Sequence, residues 1–264
     1  MKRLNLWAWL WILLGVIYFF LPLYATLDYS LRARKDTFSL DAYANVVNDP
    51  NFFATFGFSV EMALTTIVVS TLIVVPTAYW VNLRLRYLRP LVEFVTLLPF
   101  VVPTIILVFG LIRIYGRQPL ALTETDAGTN LLLIGAYTVL SFPYMYRSVD
   151  AGLRAIDVRT LTEAAESLGA SWPTILLRVI LPNLRVALLS GAFLTFAIVI
   201  GEFTLATFLA RPAFGPYMAL LGQNRAYEPA ALAIMSFAMT WLSIGLLQLL
   251  GRGAPRQAQL VGAR

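Results

Sequence analysis

Side chains that do chemistry are few in this chain of 264 residues, and their types limit what it can do. It has no cysteine and no histidine, which excludes a thiolate nucleophile, a disulfide, an imidazole metal site and a histidine general base. Of the carboxylates, Glu61 and Glu202 lie in or beside long apolar stretches, where a charge is costly unless it faces a cavity or a partner. We therefore predict no catalytic residue and no metal site. Glu61 and Glu202 are candidates for lining a substrate path that suits a cationic solute. The alternative is that both are simply hydrated at the outer interface of the apolar stretches.

A polar, acid-containing segment, residues 160–183, separates two of the apolar stretches. Thr160 and Glu163 have capping-box spacing, which predicts a helix that begins at Thr160 or just after it. Gly169 predicts the end of this helix, because glycine adopts the left-handed turn without steric cost. The predicted apolar face consists of Leu161, Ala164, Ala165 and Leu168.

A second short helix is predicted directly after Gly169. Ser171 and Pro173 are typical of a helix start, and the apolar residues that follow extend to Leu181 and Pro182. Across both helices the sequence reads Glu163-Ala164-Ala165, then Gly169, then Val179, then Leu181-Pro182. This pattern resembles the EAA motif of permease subunits of binding-protein-dependent ABC importers, with Val179 where the family usually has isoleucine. The alternative is an ordinary surface hairpin between two membrane spans.

The resemblance implies a role for this segment as a cytoplasmic coupling helix that docks into a groove on an ATPase. The ATPase-coupling residues that it implies are Leu161, Glu163, Ala164, Ala165, Leu168, Gly169, Leu181 and Pro182. A solvated cap without a partner is the alternative for Glu163, whereas the small Ala164 and Ala165 suit close approach of a groove. The chain lacks the G-x-x-x-x-G-K-[ST] loop. We therefore expect no cofactor on this chain, with ATP and Mg on a partner ATPase dimer.

The composition indicates a membrane protein. Hydrophobic residues make up 59% of the chain and charged residues 13%, and the mean hydropathy is +0.75, which no soluble domain of this length has. The formal charge of +6 does not indicate nucleic acid, because the arginines flank apolar segments rather than forming a basic stripe with interleaved aromatic residues. The predicted fold class is an all-α integral membrane protein.

Six transmembrane helices are predicted, with the coupling helix between spans four and five. If the N-terminus is inside, 13 of the 20 basic residues fall on the inner side and 7 on the outer side, which places both termini in the cytoplasm. Arg84, Arg86 and Arg89 are interpreted as determinants of this orientation. The predicted spans cover residues 6–24, 59–81, 91–114, 131–146, 184–209 and 230–250.

The third span contains Pro99 and Pro103, which are predicted to kink it. The kink is a candidate for lining the path, and a kink without function is the alternative. The resemblance extends over residues 51–250 as a permease core, after an N-terminal span and outer loop at 1–50 and before a cytoplasmic tail at 251–264. It implies a second permease subunit, an extracytoplasmic substrate-binding protein and a bacterial inner membrane. The resemblance to polyamine permeases favours a second permease of a different sequence, and a second copy of this chain is the alternative.

The solute is predicted to be a polyamine such as spermidine or putrescine, because the Gly201-Glu202-Phe203-Thr204 turn resembles the polyamine permeases. Aminophosphonate, ferric iron and thiamine are the alternatives. From other classes, an ion-gradient-driven secondary transporter would show repeat symmetry, and a membrane-embedded enzyme would need clustered reactive groups. The sequence shows neither feature.

Overall fold

A computed structural model describes residues 6–34 and 37–251, and its regular structure is helical apart from one isolated bridge between Arg34 and Thr37. The predicted cytoplasmic tail, residues 251–264, lies outside the described residues except for Gly251. Lys2 and Arg3, two of the basic residues counted on the inner side, also lie outside the described residues. Short 3-10 turns occur at Arg86–Leu88 and Leu122–Glu124, and a π-helical turn at Ile175–Ile180. The α-helices are α1 (Leu6–Ser30), α2 (Asp41–Asn48), α3 (Pro50–Leu83), α4 (Arg89–Val101), α5 (Thr104–Tyr115), α6 (Asp126–Ala155), α7 (Val158–Ser167), α8 (Trp172–Thr174), α9 (Leu181–Asn183), α10 (Arg185–Gly201), α11 (Thr204–Phe208), α12 (Phe214–Asn224) and α13 (Glu228–Gly251).

The described residues divide into two units. One consists of residues 6–54, without 35 and 36, together with 217–241. In this unit the Tyr217 hydroxyl donates to Asp49 at 3.1 Å, and the Asn45 amide donates to Glu228 at 3.0 Å. The residues after α1, expected from sequence as a polar loop, thus form helix α2 and hold the start of α13.

The other unit, residues 55–216 with 242–251, has two hydrophobic clusters. One joins the C-terminal part of α3 to the second half of α6, to α7 and to the residues before α10; its largest buried side chains include Tyr79, Met145, Leu153, Ile175 and Leu184. The other joins the N-terminal half of α6 to α3, α5, α10 and α11, through Met62, Val108, Leu133, Tyr137 and Leu205 among others. Helices α3 and α6 both contribute to the two clusters and therefore connect them.

Two helices in the described part of the chain are long and apolar enough to cross a membrane, Trp9–Ser30 and Pro50–Leu83. The number rises to four if each of two bent helix pairs counts as one span. The all-helical fold is confirmed, whereas the predicted number of six spans stays a prediction.

The predicted third span is two helices rather than one kinked helix. The segment Arg86–Val101 and helix α5 meet at 99°. Val102 between them is extended, with φ −86° and ψ 112°, because the ring of the following Pro103 disfavours the helical conformation in the preceding residue. Pro103 itself is extended at ψ 138°. The two prolines differ in effect. Pro99 lies inside α4, whereas Pro103 lies at the break between α4 and α5.

Candidate functional site

Helix α7 begins two residues earlier than the sequence predicted, so the proposed capping box of Thr160 and Glu163 is wrong. Asp157 is the N-cap: its carboxylate accepts from the Thr160 backbone amide at 3.1 Å and from the Thr160 hydroxyl at 2.6 Å. Hydrogen bonds to the Asp157 carboxylate, first from the Thr160 hydroxyl and then from the Thr160 amide, lower the pKa of Asp157. Glu163 instead accepts from Arg159 at 2.7 Å. Aspartate caps a helix as well as threonine does. Asp157 determines the helix start because it lies three residues before Thr160, whose backbone amide has no partner within the helix and donates to the Asp157 carboxylate.

The buried face of α7 is rotated relative to the predicted one. Val158, Thr162 and Ala165 are buried and Leu161 is half-buried. Thr162 can be buried because its hydroxyl donates to the Val158 carbonyl at 2.7 Å and also meets the Tyr79 hydroxyl at 3.1 Å. The predicted face of four residues is therefore split.

The outer face of α7 carries the remaining motif residues. Glu163, Ala164 and Leu168 are exposed, and Leu168 is 88% exposed. At this exposure the Leu168 side chain buries almost no apolar surface against the described part of its own chain. An exposed leucine beside a small alanine and a carboxylate offers a partner an apolar contact, close backbone approach and a charged group.

Gly169 ends α7 as the sequence predicted. Its φ is +76°, its N–H donates to the Glu166 carbonyl at 2.9 Å, and the N–H of Ala170 donates to the Ala165 carbonyl at 3.0 Å. This pair of bonds is a Schellman motif, which satisfies carbonyls that the helix end leaves free.

The residues after Gly169 form one helical segment, Trp172–Asn183, composed of α8, the π-helical turn and α9. Ser171 is at the N-cap position and Pro173 is in the first turn, as predicted. Leu181 and Pro182 are half-buried, and Leu181 packs against the cluster that includes Tyr79. The segment meets α10 at 79°.

The C-terminal end of α3 contacts both helical parts of the motif. In addition to the Tyr79–Thr162 hydrogen bond, the rings of Trp80 and Trp172 stack with centroids 6.1 Å apart and an interplanar angle of 21°. Arg84 lies 3.8 Å from Glu166, an exposed pair of small energetic weight. The buried hydrogen bond and the ring stack therefore carry this contact.

A charged group that sequence reasoning missed lies beside these contacts; we call it the Asp150 cluster, and it consists of Asn82, Arg89, Glu93, Asp150 and Arg154. Asp150 is only 6% exposed. Its carboxylate accepts from Asn82 at 2.9 Å, from Arg89 at 2.9 Å and from Arg154 at 2.5 Å. Arg89 also donates to Glu93 at 2.9 Å. Arg89 therefore has a structural role within the fold, and its role in orientation stays a prediction. The i,i+4 spacing of Arg89 and Glu93, and of Asp150 and Arg154, was the available signal in the sequence.

The four candidates for the substrate path lie in different surroundings. The Glu202 carboxylate accepts from the Leu205 amide at 2.9 Å and from the Ala206 amide at 3.3 Å, so it caps α11, and it receives the Tyr137 hydroxyl at 3.4 Å. Glu61 is exposed on α3. Pro99 is half-buried in α4, and Pro103 is exposed at the break before α5. Glu202 thus has a structural function at a helix start, and a role in a path stays a prediction for all four.

The chain belongs to a known family of membrane proteins. Residues 70–254 match the family described as "Binding-protein-dependent transport system inner membrane component". This range contains α7, the segment Trp172–Asn183 and the Asp150 cluster. The resemblance inferred from the motif is therefore confirmed, and the protein is a multi-pass inner-membrane permease component.

Three relatives carry names that differ in their solute. The "Probable sulfate transport system permease protein cysT" of Prototheca wickerhamii is 32% identical over 59% of this chain and 63% of its own length. The "Molybdenum transport system permease protein ModB" of Mycobacterium bovis is 28% identical over 94% of this chain and 93% of its own. The "Spermidine/putrescine transport system permease protein PotB" of Salmonella typhimurium is 26% identical over 71% of each chain.

The fold also matches a solved structure. A chain from the crystal structure of "a bacterial ABC transporter involved in the import of the acidic polysaccharide alginate" aligns over 92% of this chain and 94% of its own, with a TM-score of 0.62 and 16% identity. At this identity the match supports the fold and says nothing of the solute.

Proposed function

We propose that this chain is one of two permease subunits of an ATP-driven importer and that α7 is its docking helix for a cytoplasmic ATPase. The observation that carries the proposal is the outer face of α7, where Leu168 is 88% exposed next to Ala164 and Glu163. The opposite face is fixed to α3 by the Tyr79–Thr162 hydrogen bond. A helix anchored on one face, with a leucine and an alanine exposed among charged residues on the other, is suited to transmit force to or from a partner.

The chain crosses the membrane six times in this proposal, with both termini in the cytoplasm. Helices α1 and α3 are two spans, and each bent pair provides one more. Helices α6, with 30 residues, and α13, with 24, exceed the roughly 20 residues that a span needs. Several polar side chains of α6, Thr129, Thr138, Ser141 and Asp150, are buried within the protein. The exposed Arg147 lies near the cytoplasmic end of the span in this proposal.

The partners follow from the proposed role. A pair of ATPases, with ATP and Mg bound to them, docks on α7, and a second permease, of a different sequence, completes the path. An extracytoplasmic substrate-binding protein delivers the solute. Closure of the ATPases then rocks the permeases and opens the path to each side in turn.

The proposed solute is a small cation, with a polyamine as the first choice. It is supported by the acidic side chains of Glu61, in the first half of α3, and Glu202, directly after α10, and by the similarity to PotB. The sulfate and molybdenum relatives make oxyanions the direct competitors, beside aminophosphonate, ferric iron and thiamine. Uptake of labelled putrescine, sulfate and molybdate by the assembled transporter decides among them. Uptake of sulfate alone would contradict the proposal of a cationic solute.

The docking role is tested by Leu168→Asp. We expect the amount of ATPase that co-purifies with the permease to fall about tenfold, because a carboxylate replaces an apolar contact of roughly 1–2 kcal/mol. The matched control is Leu120→Asp, the same change at an exposed leucine in the loop before α6. Equal co-purification of both variants with the ATPase would contradict the docking role, and uptake without any ATPase would indicate an ion-gradient transporter.

A further inference from the structure

The C-terminal end of α3 contacts two different neighbours through residues that are about one helical turn apart. Tyr79 and Trp80 contact α7 and α8. Asn82 donates to Asp150 on α6 at 2.9 Å. Because these positions lie within a single turn of a continuous helix, a displacement of α7 that moves Tyr79 also moves Asn82.

Asp150 collects donors from three separate elements. Asn82 comes from α3, Arg89 from the first residue of α4, and Arg154 from α6 itself. The Asp150 carboxylate is nearly inaccessible, while the guanidinium groups of Arg89 and Arg154 are partly exposed. An ion pair held in this way is strongly destabilised when one partner is removed, since the remaining charges lose their compensation.

Helix α6 connects Asp150 to Tyr137, which lies closer to the N-terminus of the same helix. It is one continuous helix from Asp126 to Ala155, and Tyr137, which contacts Glu202, lies 13 residues before Asp150. At 1.5 Å per residue this corresponds to about 20 Å along the helix. Near its middle α6 therefore contacts Glu202, a candidate residue of the substrate path, and near its C-terminal end it contacts the end of α3 that lies next to α7.

We propose that Asp150 is a positioning residue that passes movement of the docking helix from α3 to α4 and α6. The proposal rests on the proposed function, because it requires an ATPase that moves α7. In this arrangement Asp150 contacts neither the ATPase nor the solute. Its loss separates ATP hydrolysis from transport while the ATPase stays bound.

The test uses the complete transporter, with ATPase, second permease and binding protein, in proteoliposomes. For Asp150→Asn we expect normal co-purification of the ATPase, continued ATP hydrolysis and about a tenfold fall in solute imported per ATP. Asp28→Asn is the matched control, since it removes the same charge from an exposed arginine pair with a 2.7 Å contact. Should Asp150→Asn fail to insert, Asn82→Ala removes a single hydrogen bond from the cluster and serves for the same measurement.

A tether separates a transmitting role from a merely structural one. Because the chain has no cysteine, the double variant Asn82→Cys with Asp150→Cys carries only the two introduced thiols. We expect a low ratio of solute to ATP in the reduced double variant and recovery of the ratio after the two thiols are oxidised to a disulfide, whose formation is checked by the loss of free thiol; a bulky reagent is avoided because position 150 is only 6% exposed.

The outcomes are distinguishable. An unchanged ratio in Asp150→Asn, a tether without effect, or loss of the ATPase from the Asp150→Asn complex would each overturn transmission through Asp150. The wild-type complex decides the proposed function separately: if it binds no ATPase, the proposed function fails, and the role of Asp150 fails with it.

Discussion

Gly169 is the residue at which backbone conformation alone determines what can be tolerated. Its φ is +76°, and a Cβ added there would meet no atom within 4 Å. Space is therefore available for a side chain, and the obstacle is the left-handed conformation. Ala210, with φ +52° at the end of α11, shows that the chain accepts alanine in this conformation, whereas a β-branched residue is far less compatible with it.

Gly169→Val is expected to destabilise the end of α7 by about 1–2 kcal/mol, because the left-handed conformation brings Cβ toward the following carbonyl. The segment from Trp172 would then leave α7 in a different direction. Uptake should fall while the amount of protein in the membrane stays normal. Gly135→Val is the control, since Gly135 lies in α6 and also has open space around its Cβ position. Normal uptake by Gly169→Val would contradict this account.

At the scale of elements, the crossing of α6 and α10 depends on two glycines. A Cβ on Gly152 would lie 2.6 Å from the Cβ of Ala187, and one on Gly191 would lie 2.7 Å from the sulfur of Met145. The Ala187 methyl cannot rotate away, so this contact has no inexpensive adjustment. The two helices approach closely because both positions lack a side chain.

Gly152→Ala is expected to lower stability by about 1–3 kcal/mol through overpacking of this crossing. Adding Ala187→Gly removes the clashing atom, so the double variant should be more stable than Gly152→Ala alone, despite the roughly 1 kcal/mol that glycine costs in a helix. Thermal unfolding of the purified subunit in detergent measures both. If the second change lowers the unfolding temperature further, the clash is not the cause.

The motif helices show what the sequence could and could not predict. The stop at Gly169 and the restart at Ser171 and Pro173 were correct, because they depend on backbone preferences of single residues. The start at Thr160 was wrong because two capping residues competed and Asp157 prevailed. The buried face was misjudged at Thr162, since a hydroxyl is buried only when a partner such as Tyr79 is present. Periodicity carries no information on that partner.

Tertiary geometry explains the remaining differences. The sequence indicated a kink at Pro99 and Pro103, but not the 99° break, which arises from the extended conformations of Val102 and Pro103 together. The Asp150 cluster joins residues up to 72 positions apart, from Asn82 to Arg154, and only the fold brings them together. The arginines of this group were interpreted from their position beside apolar segments, and such an interpretation does not reveal their carboxylate partner.

At the scale of the whole molecule, the proposed orientation can be tested because the chain has no cysteine. Tyr87→Cys and Leu120→Cys introduce single thiols at exposed positions, 75% and 53% exposed, in the turns that flank the segment from α4 to α5. A membrane-impermeant maleimide should label Tyr87→Cys only from the cytoplasmic side and Leu120→Cys only from the outer side. Labelling of both from one side would show that α4 and α5 form a re-entrant pair, and six spans would then be wrong.

The exposed Leu168 has a consequence for the biogenesis of the protein. On the proposed assignment, a newly made subunit has an uncovered docking surface around Leu168 on its cytoplasmic side until its ATPase arrives, and unassembled subunits of marginal stability are removed by chaperones and proteases. The steady-state abundance of the permease would then follow the supply of its ATPase, so that unassembled copies are removed and balanced synthesis of the two genes is enforced by turnover.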